Sequence, residues 1–224
     1  TKATVFTYGF SGTADVRAEN LQLTSYGSYT FDLVYRGERI PASIPMLGEH
    51  NVLNALAAAA VGIAVGMEVT DIARALTTLK QMSKWRMEVH QIPGNLTVIN
   101  DAYNANPESM TAALETLAAI PAPGKKFAIL GKMHELGDDS DAIHAQIAKL
   151  AIELGVSQVV AVGEAAKTYG LPETMGQKSV WLPDFDSACD YIVNEVNSGD
   201  VLLFKASRAE QFELLADQIE VVLR

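Results

Sequence analysis

With 224 residues, 49% of them hydrophobic, the chain can bury one large or two small cores, and disorder is excluded. A formal charge of -10 and a pI near 4.8 exclude a general nucleic-acid binder, which needs clustered Lys and Arg, but leave small polar or anionic ligands open. The lone Cys189 rules out an internal disulfide, and no cation stands beside it among Asp186, Ser187, Ala188, Asp190 and Tyr191, so a structural thiol in a reducing cytoplasm is expected.

Thr1-Lys2-Ala3-Thr4 leads into alternating residues rather than a basic and then apolar leader, and the start leaves open that the chain is a piece of something longer. From Thr4 to Ile44 the pattern is β, with β-branched and aromatic residues alternating over Val5–Tyr8, Val16–Leu23, Tyr29–Tyr35 and Arg39–Ile44, and a hairpin turn at Arg36-Gly37-Glu38. After Pro45 and Gly48 the period becomes helical. An Ala-rich helix is expected over Asn51–Val65 and a second from Thr70 or Asp71 to about Lys80. The apolar run Val52–Met67 is interrupted by Asn54 and too short to span a bilayer, and it reads as a buried helix.

Beyond Gln81-Met82-Ser83-Lys84 strands and helices alternate, which predicts an α/β fold with a mostly parallel sheet, and the domain boundary is placed there, between 1–83 and 84–224. Strands are expected at Met87–Ile92, Leu96–Asn100, Lys126–Leu130, Gln158–Val162, Ser179–Leu182 and Val201–Phe204. Helices are expected at about 107–119, 140–154, 164–169, 185–197 and 208–222.

The densest polar string, Asn100-Asp101-Ala102-Tyr103-Asn104-Ala105-Asn106-Pro107, falls between a strand and a helix. Asn106 and Pro107 read as N-cap and first helical residue, because Asn accepts from free amides and Pro lacks one to satisfy. The string thus occupies a strand's carboxyl end, where open α/β sheets bind ligands. A well-capped turn whose asparagines serve their own backbone is the alternative.

Four further clusters could carry chemistry. In Gly48-Glu49-His50-Asn51-Val52-Leu53-Asn54, His50, Asn51 and Asn54 share a helical face, and carboxamides there can read a purine edge; capping is the rival for Asn51 and explains Asn54 less well. Trp85-Arg86-Met87-Glu88 stands at the domain junction, where a guanidinium could reach a phosphate or simply pair with Glu88. Gly131-Lys132-Met133-His134-Glu135-Leu136-Gly137 follows a strand and suggests a constrained loop. Lys205-Ala206-Ser207-Arg208 follows the last strand and either binds a carboxylate or caps the next helix through Ser207. Asp138-Asp139-Ser140-Asp141 lacks calcium-loop spacing and reads as a helix cap.

His50, His90, His134 and His144 have no zinc-ligand spacing with a cysteine. No G-x-S-x-G elbow, G-x-G-x-x-G fingerprint or G-x-x-x-x-G-K-[ST] phosphate loop occurs; Gly124-Lys125 and Gly131-Lys132 lack the rest of that loop.

The clusters, in this order along nearly the whole chain, resemble the Mur ligases: Gly48-Glu49-His50-Asn51 to Asn54, Arg86-Met87-Glu88, Asp101 to Pro107, Gly131 to Gly137 and Lys205 to Arg208. The resemblance is to the branch that joins D-alanyl-D-alanine to UDP-N-acetylmuramoyl-tripeptide in peptidoglycan synthesis. It implies the last part of a central ATPase domain followed by a Rossmann-like C-terminal domain, with the phosphate loop, the Mg2+ ligands and the UDP domain upstream. It also implies ATP-driven amide formation through an acyl phosphate, a step that rests on positioning and charge neutralisation.

The roles implied are position by position. Asn54, with His50 on its face, would meet adenine; Arg86 the ATP phosphates; and Asp101 the ribose. Tyr103, Asn104 and Asn106 would line the gap between nucleotide and dipeptide, and Ser207 with Lys205 or Arg208 would hold the dipeptide's end. The pattern departs from its relatives at Lys132, often acidic there, and at Trp85 and Ala206, where glycine is common. Lacking the phosphate loop, the chain alone is expected to be inactive. A stand-alone ligand-binding module and a Mur-type ligase for another amine are the alternatives.

Overall fold

The computed structural model describes residues 2–24, 27–80, 83–170 and 178–224. Gln81 and Met82, part of the stretch where the pattern changes, lie outside them. The chain divides into two compact units, Thr1–Met82 and Ser83–Arg224.

The first unit is a four-stranded sheet of sequential order, β1 (Tyr8–Gly9), β2 (Val16–Leu23), β3 (Tyr29–Tyr35) and β4 (Glu38–Ile44), followed by α1 (Glu49–Ala64) and α2 (Val69–Thr77). β2, β3 and β4 are antiparallel neighbours, and β1 pairs parallel to β2. The β3–β4 hairpin turns on Arg36 and Gly37, both at positive φ (49° and 85°), the left-handed pair that matches strand twist. Of the strand expected over Val5–Tyr8 only Tyr8 is realised, in the two-residue β1 with Gly9; Thr7 turns its backbone N–H and hydroxyl to the Asp15 carboxylate instead of a ladder.

The reading of Val52–Met67 as a buried helix holds for one face only. Val52, Ala55, Leu56, Ala59 and Ala60 pack with Val16, Leu33 and Ile44, whereas Leu53, Val61, Val65 and Met67 are exposed. α1 is one-sided: its alanines allow close approach to the sheet on one stripe only.

The second unit is a six-stranded sheet, β5 (Glu88–Ile92), β6 (Leu96–Asn100), β7 (Lys126–Leu130), β8 (Gln158–Val162), β9 (Ser179–Leu182) and β10 (Val201–Lys205), ordered β5-β6-β10-β7-β8-β9. All neighbours are parallel except the β5–β6 hairpin. β10 is buried along its whole length, as expected of a central parallel strand covered on both faces. Leu202 and Phe204 pack with α5 (Phe185–Glu195) and α6 (Phe212–Leu223) through Ala188, Ile192, Phe212 and Leu215. The alternate residues Val201 and Leu203 face the other way, toward α3 (Pro107–Ala119), which packs on α4 (Ser140–Glu153).

Two helical expectations change. Residues 164–169 form a 3-10 turn, Glu164–Gly170, rather than an α-helix. The terminal helix does not start at 208: Arg208–Glu210 is a 3-10 turn, Gln211 is left-handed (φ 53°), and α6 begins at Phe212.

Candidate functional site

Because β10 lies between β6 and β7, the chain leaves the carboxyl ends of β6 and β10 toward helices on opposite faces, the kind of switch point at which open α/β sheets bind ligands. Asp101, Lys205 and Ser207 meet there.

Asp101 uses both oxygens. Oδ1 accepts from the Met87 backbone N–H at 2.9 Å, and Oδ2 pairs with Lys205 Nζ at 2.6 Å. Lys205 Nζ also donates to the Asn104 carbonyl at 2.8 Å. Removing an ammonium from water costs several kcal/mol unless its protons find partners, and two of its three are satisfied within the chain. Lys205, one of two cations expected beside Ser207 at the dipeptide's end, is only 2% exposed. Its geometry is that of a clamp on the Asp101–Asn104 loop.

The Ser207 hydroxyl likewise turns inward. It accepts from the His134 backbone N–H at 2.9 Å and donates to the Ala105 carbonyl at 3.2 Å, tying the loops after β6, β7 and β10 together. It makes no side-chain cap bond, so the helix-cap alternative is overturned. Ser207 N–H donates to the Lys132 carbonyl at 3.0 Å and Gly131 N–H to the Lys205 carbonyl at 3.0 Å, extending the stitching between β7 and β10. Gly131 has no room for a Cβ, which would run into the Phe212 ring and Ala206.

Asn106 caps α3: its Oδ1 accepts from Ser109 N–H at 2.8 Å, and Ser109 Oγ accepts from Asn106 N–H at 3.0 Å. The side chain expected to line the substrate gap thus has its carbonyl oxygen committed to the helix, and Pro107 follows at the first helical position. Asp139, by contrast, makes no side-chain cap bond to α4, which corrects the cap reading of Asp138–Asp141; Asp141 accepts from the Thr168 hydroxyl at 3.1 Å.

What remains outward-facing is aromatic and cationic. The Arg86 guanidinium lies 3.9 Å over the Tyr103 ring, and Arg208 lies 4.4 Å over the Trp85 ring while pairing with the buried Glu213. Arg86, Tyr103, Asn104 and Arg208 are exposed. Trp85 and Met87 flank Arg86 at positive φ (58° and 50°), a conformation costing roughly 1–2 kcal/mol each for a residue with a Cβ. Three bonds hold them: Met87 N–H to Asp101, Tyr103 N–H to the Trp85 carbonyl (2.9 Å) and Trp85 N–H to Glu88 Oε2 (3.0 Å). At position 85 tryptophan bears the strain of the left-handed φ and gains a stacking partner in Arg208.

In the first unit, Asn51 Nδ2 donates to the Leu47 carbonyl at 2.7 Å and lies 3.2 Å from His50 Nε2, while Asn54 Nδ2 donates to Asn51 Oδ1 at 3.2 Å. His50, Asn51 and Asn54 thus form one side-chain chain at the start of α1, with Asn54 exposed and the N-cap left to Gly48.

Glu210 and Glu213 escaped the sequence reading, and His144 entered it only as a histidine without zinc-ligand spacing. Glu210 Oε1 lies 2.6 Å from His134 Nε2, linking the β7 loop to the turn after β10. His144 accepts from Met133 N–H at 3.0 Å. Its signal was its place on the stripe shared with Ile147, Ala148 and Ala151, which marks an imidazole turned into the core. Cys189 is buried, and burial with Asp190 and Asp186 nearby pushes its thiol up, consistent with a structural role. Among the described residues no three His, Cys, Asp or Glu side chains converge as a metal site, and no helix is long and apolar enough to cross a membrane.

Comparison with known proteins finds relatives of the chain. The family profile described as Mur ligase, glutamate ligase domain, matches residues 85–208, and that of the Mur ligase middle domain matches residues 1–62. A UDP-N-acetylmuramoyl-tripeptide--D-alanyl-D-alanine ligase of Mycobacterium tuberculosis is 36% identical over 240 residues, covering 98% of this chain and 47% of the relative. The MurF crystal structure from Acinetobacter baumannii superposes with a TM-score of 0.85 at 28% identity, covering 96% of this chain and 46% of that one. MurF of Thermotoga maritima in complex with ADP gives 0.81 at 25% identity, covering 96% and 48%. The chain spans about half the length of the curated relatives it matches.

Proposed function

The chain belongs to the Mur ligase family, and from that premise we propose that it forms the later part of an ATP-dependent ligase that joins D-alanyl-D-alanine to UDP-N-acetylmuramoyl-tripeptide in the cytoplasm. The observation that carries this reading is the meeting of Asp101, Lys205 and Ser207 at the sheet's switch point, with Arg86, Tyr103, Asn104 and Arg208 exposed around it. The names of the relatives supply the substrate class.

Under this proposal Thr1–Met82 is the end of the central ATPase domain and Ser83–Arg224 the domain that presents the amine. Asn54 and His50 meet the adenine, and Arg86, set on the Tyr103 face, neutralises phosphate charge. Asp101 and Asn104 line the nucleotide side through what the clamp leaves available, and Arg208 is the cation for the dipeptide carboxylate. Lys205, Ser207 and Asn106 act by fixing the loops that carry these groups. Mg2+ would supply charge neutralisation at the phosphates, with its ligands assigned, on the resemblance, mostly to the remainder of the ligase polypeptide; among the described residues no three His, Cys, Asp or Glu side chains converge to hold it.

The test is phosphate release with ATP, Mg2+, UDP-N-acetylmuramoyl-tripeptide and D-alanyl-D-alanine, on this chain and on the longest natural polypeptide containing it. We expect turnover from the longer protein only, and only with the dipeptide present. Turnover with a different amine would reassign the substrate; none with any amine would favour a binding module.

A further inference from the structure

His144 is 1% exposed, and both ring nitrogens are engaged. Nε2 lies 3.0 Å from the Met133 backbone N–H, a group that can only donate. Nδ1 lies 2.6 Å from the Ser140 carbonyl oxygen, which can only accept. One state satisfies both: a neutral imidazole with the proton on Nδ1 and a bare Nε2. A second proton would set Nε2–H against Met133 N–H, with no acceptor between them.

Met133 is itself fully buried, and the next residue, His134, gives its N–H to Ser207 Oγ, which donates to the Ala105 carbonyl. The imidazole therefore anchors the first link of a backbone chain that runs from α4, through the loop after β7, to the loops after β10 and β6. We propose that His144, held as the Nδ1–H tautomer, is a positioning residue that latches the Gly131–Gly137 loop to α4, and that acid opens the latch by protonating Nε2. The tautomer and the latch stand on this chain alone; only their consequence for ligase chemistry rests on the function proposed above.

The groups facing the ring come from each element around it. Ser140 and Asp141 belong to its own helix, Lys132 and His134 to the loop, and Tyr169, edge-on at 4.7 Å between ring centroids, to the 3-10 turn. Burial is the dominant influence and pulls the imidazole below the ordinary histidine range; the Ser140 carbonyl and Asp141 act the other way, while Lys132 and His134 add to the lowering. Tyr169 stays neutral, since burial pushes its phenol far up. The unfolded chain therefore takes up the proton before the folded one does. The stabilisation is present above the ordinary histidine pKa of about 6.5 and is lost as pH falls toward the depressed folded value.

The experiment is long-range 1H–15N correlation of the imidazoles in this chain, with backbone amide shifts followed from about pH 8 to pH 5. It is run on the wild type, on His134→Gln, which removes the other loop histidine, and on His144→Gln, whose carbonyl can still accept. We expect Nδ1–H with bare Nε2 at neutral pH. The Met133 and His134 amides should move with the His144 midpoint, which should persist in His134→Gln and vanish in His144→Gln. An Nε2–H tautomer would overturn the proposal, and that readout needs no variant to fold. So would a Met133 amide that ignores the His144 titration, or a His144 that titrates only when the whole spectrum collapses.

Discussion

Lys205 shows most plainly how single side chains build this site. Its ammonium neutralises Asp101 and binds the Asn104 carbonyl in a place where water reaches neither partner well. Lys205→Met should leave a buried carboxylate uncompensated and cost about 3–5 kcal/mol of stability, measured by urea unfolding. A loss below about 1 kcal/mol would mean that the clamp is not the main support of the loop. Asn106→Ala, which removes only a cap acceptor, should cost about 1 kcal/mol in the same assay. These residues differ in how far the sequence discloses them. Asn106 and its partner Ser109 are three apart, so capping rules reach them. Lys205 and Asp101 are 104 positions apart and Ser207 and Ala105 are 102 apart, so a cation and a hydroxyl that look like ligand contacts are seen as clamps only once β10 is placed beside β6.

At the scale of elements, the strands of the second unit were legible because parallel strands buried on both faces read as short continuous apolar runs, as at Val201–Lys205 and Gln158–Val162. The break between Arg208–Glu210 and α6 was not legible. Nothing local marks Gln211 as left-handed; the turn is imposed where Phe212 packs on Gly131, a glycine with ordinary φ but no space for a Cβ. Gly131→Ala should therefore force Phe212 aside and lower stability by roughly 1–3 kcal/mol, with disturbance concentrated at Phe212 and Ala206 in a crystal structure. An undisturbed Phe212 would show that the contact is soft. α1 was misread for a related reason: an Ala-rich helix carries a weak polarity signal, and only the sheet beneath it decides which alanines are buried.

For the molecule as a whole, two units, each with its own core, carry the residue sets proposed for ATP, one at the start of α1 and the other just before β5 and at the carboxyl end of β6, the latter clamped by the loops after β7 and β10. Arg86→Ala in the longest natural polypeptide should raise the KM for ATP at least about tenfold, equivalent to about 1.4 kcal/mol, with the melting temperature unchanged, because the guanidinium is exposed and stacked rather than buried. An unchanged KM would detach Arg86 from the nucleotide. The order of the motifs was legible from sequence because each is short and local; their convergence was not, since it depends on β10 returning between β6 and β7. The measurement that tests that convergence most directly is amide hydrogen exchange across 100–107, 131–137 and 205–208 in that same polypeptide, with and without ATP, UDP-N-acetylmuramoyl-tripeptide and D-alanyl-D-alanine. Slower exchange in all three segments together is the predicted result, whereas protection confined to other parts of the chain would contradict the site.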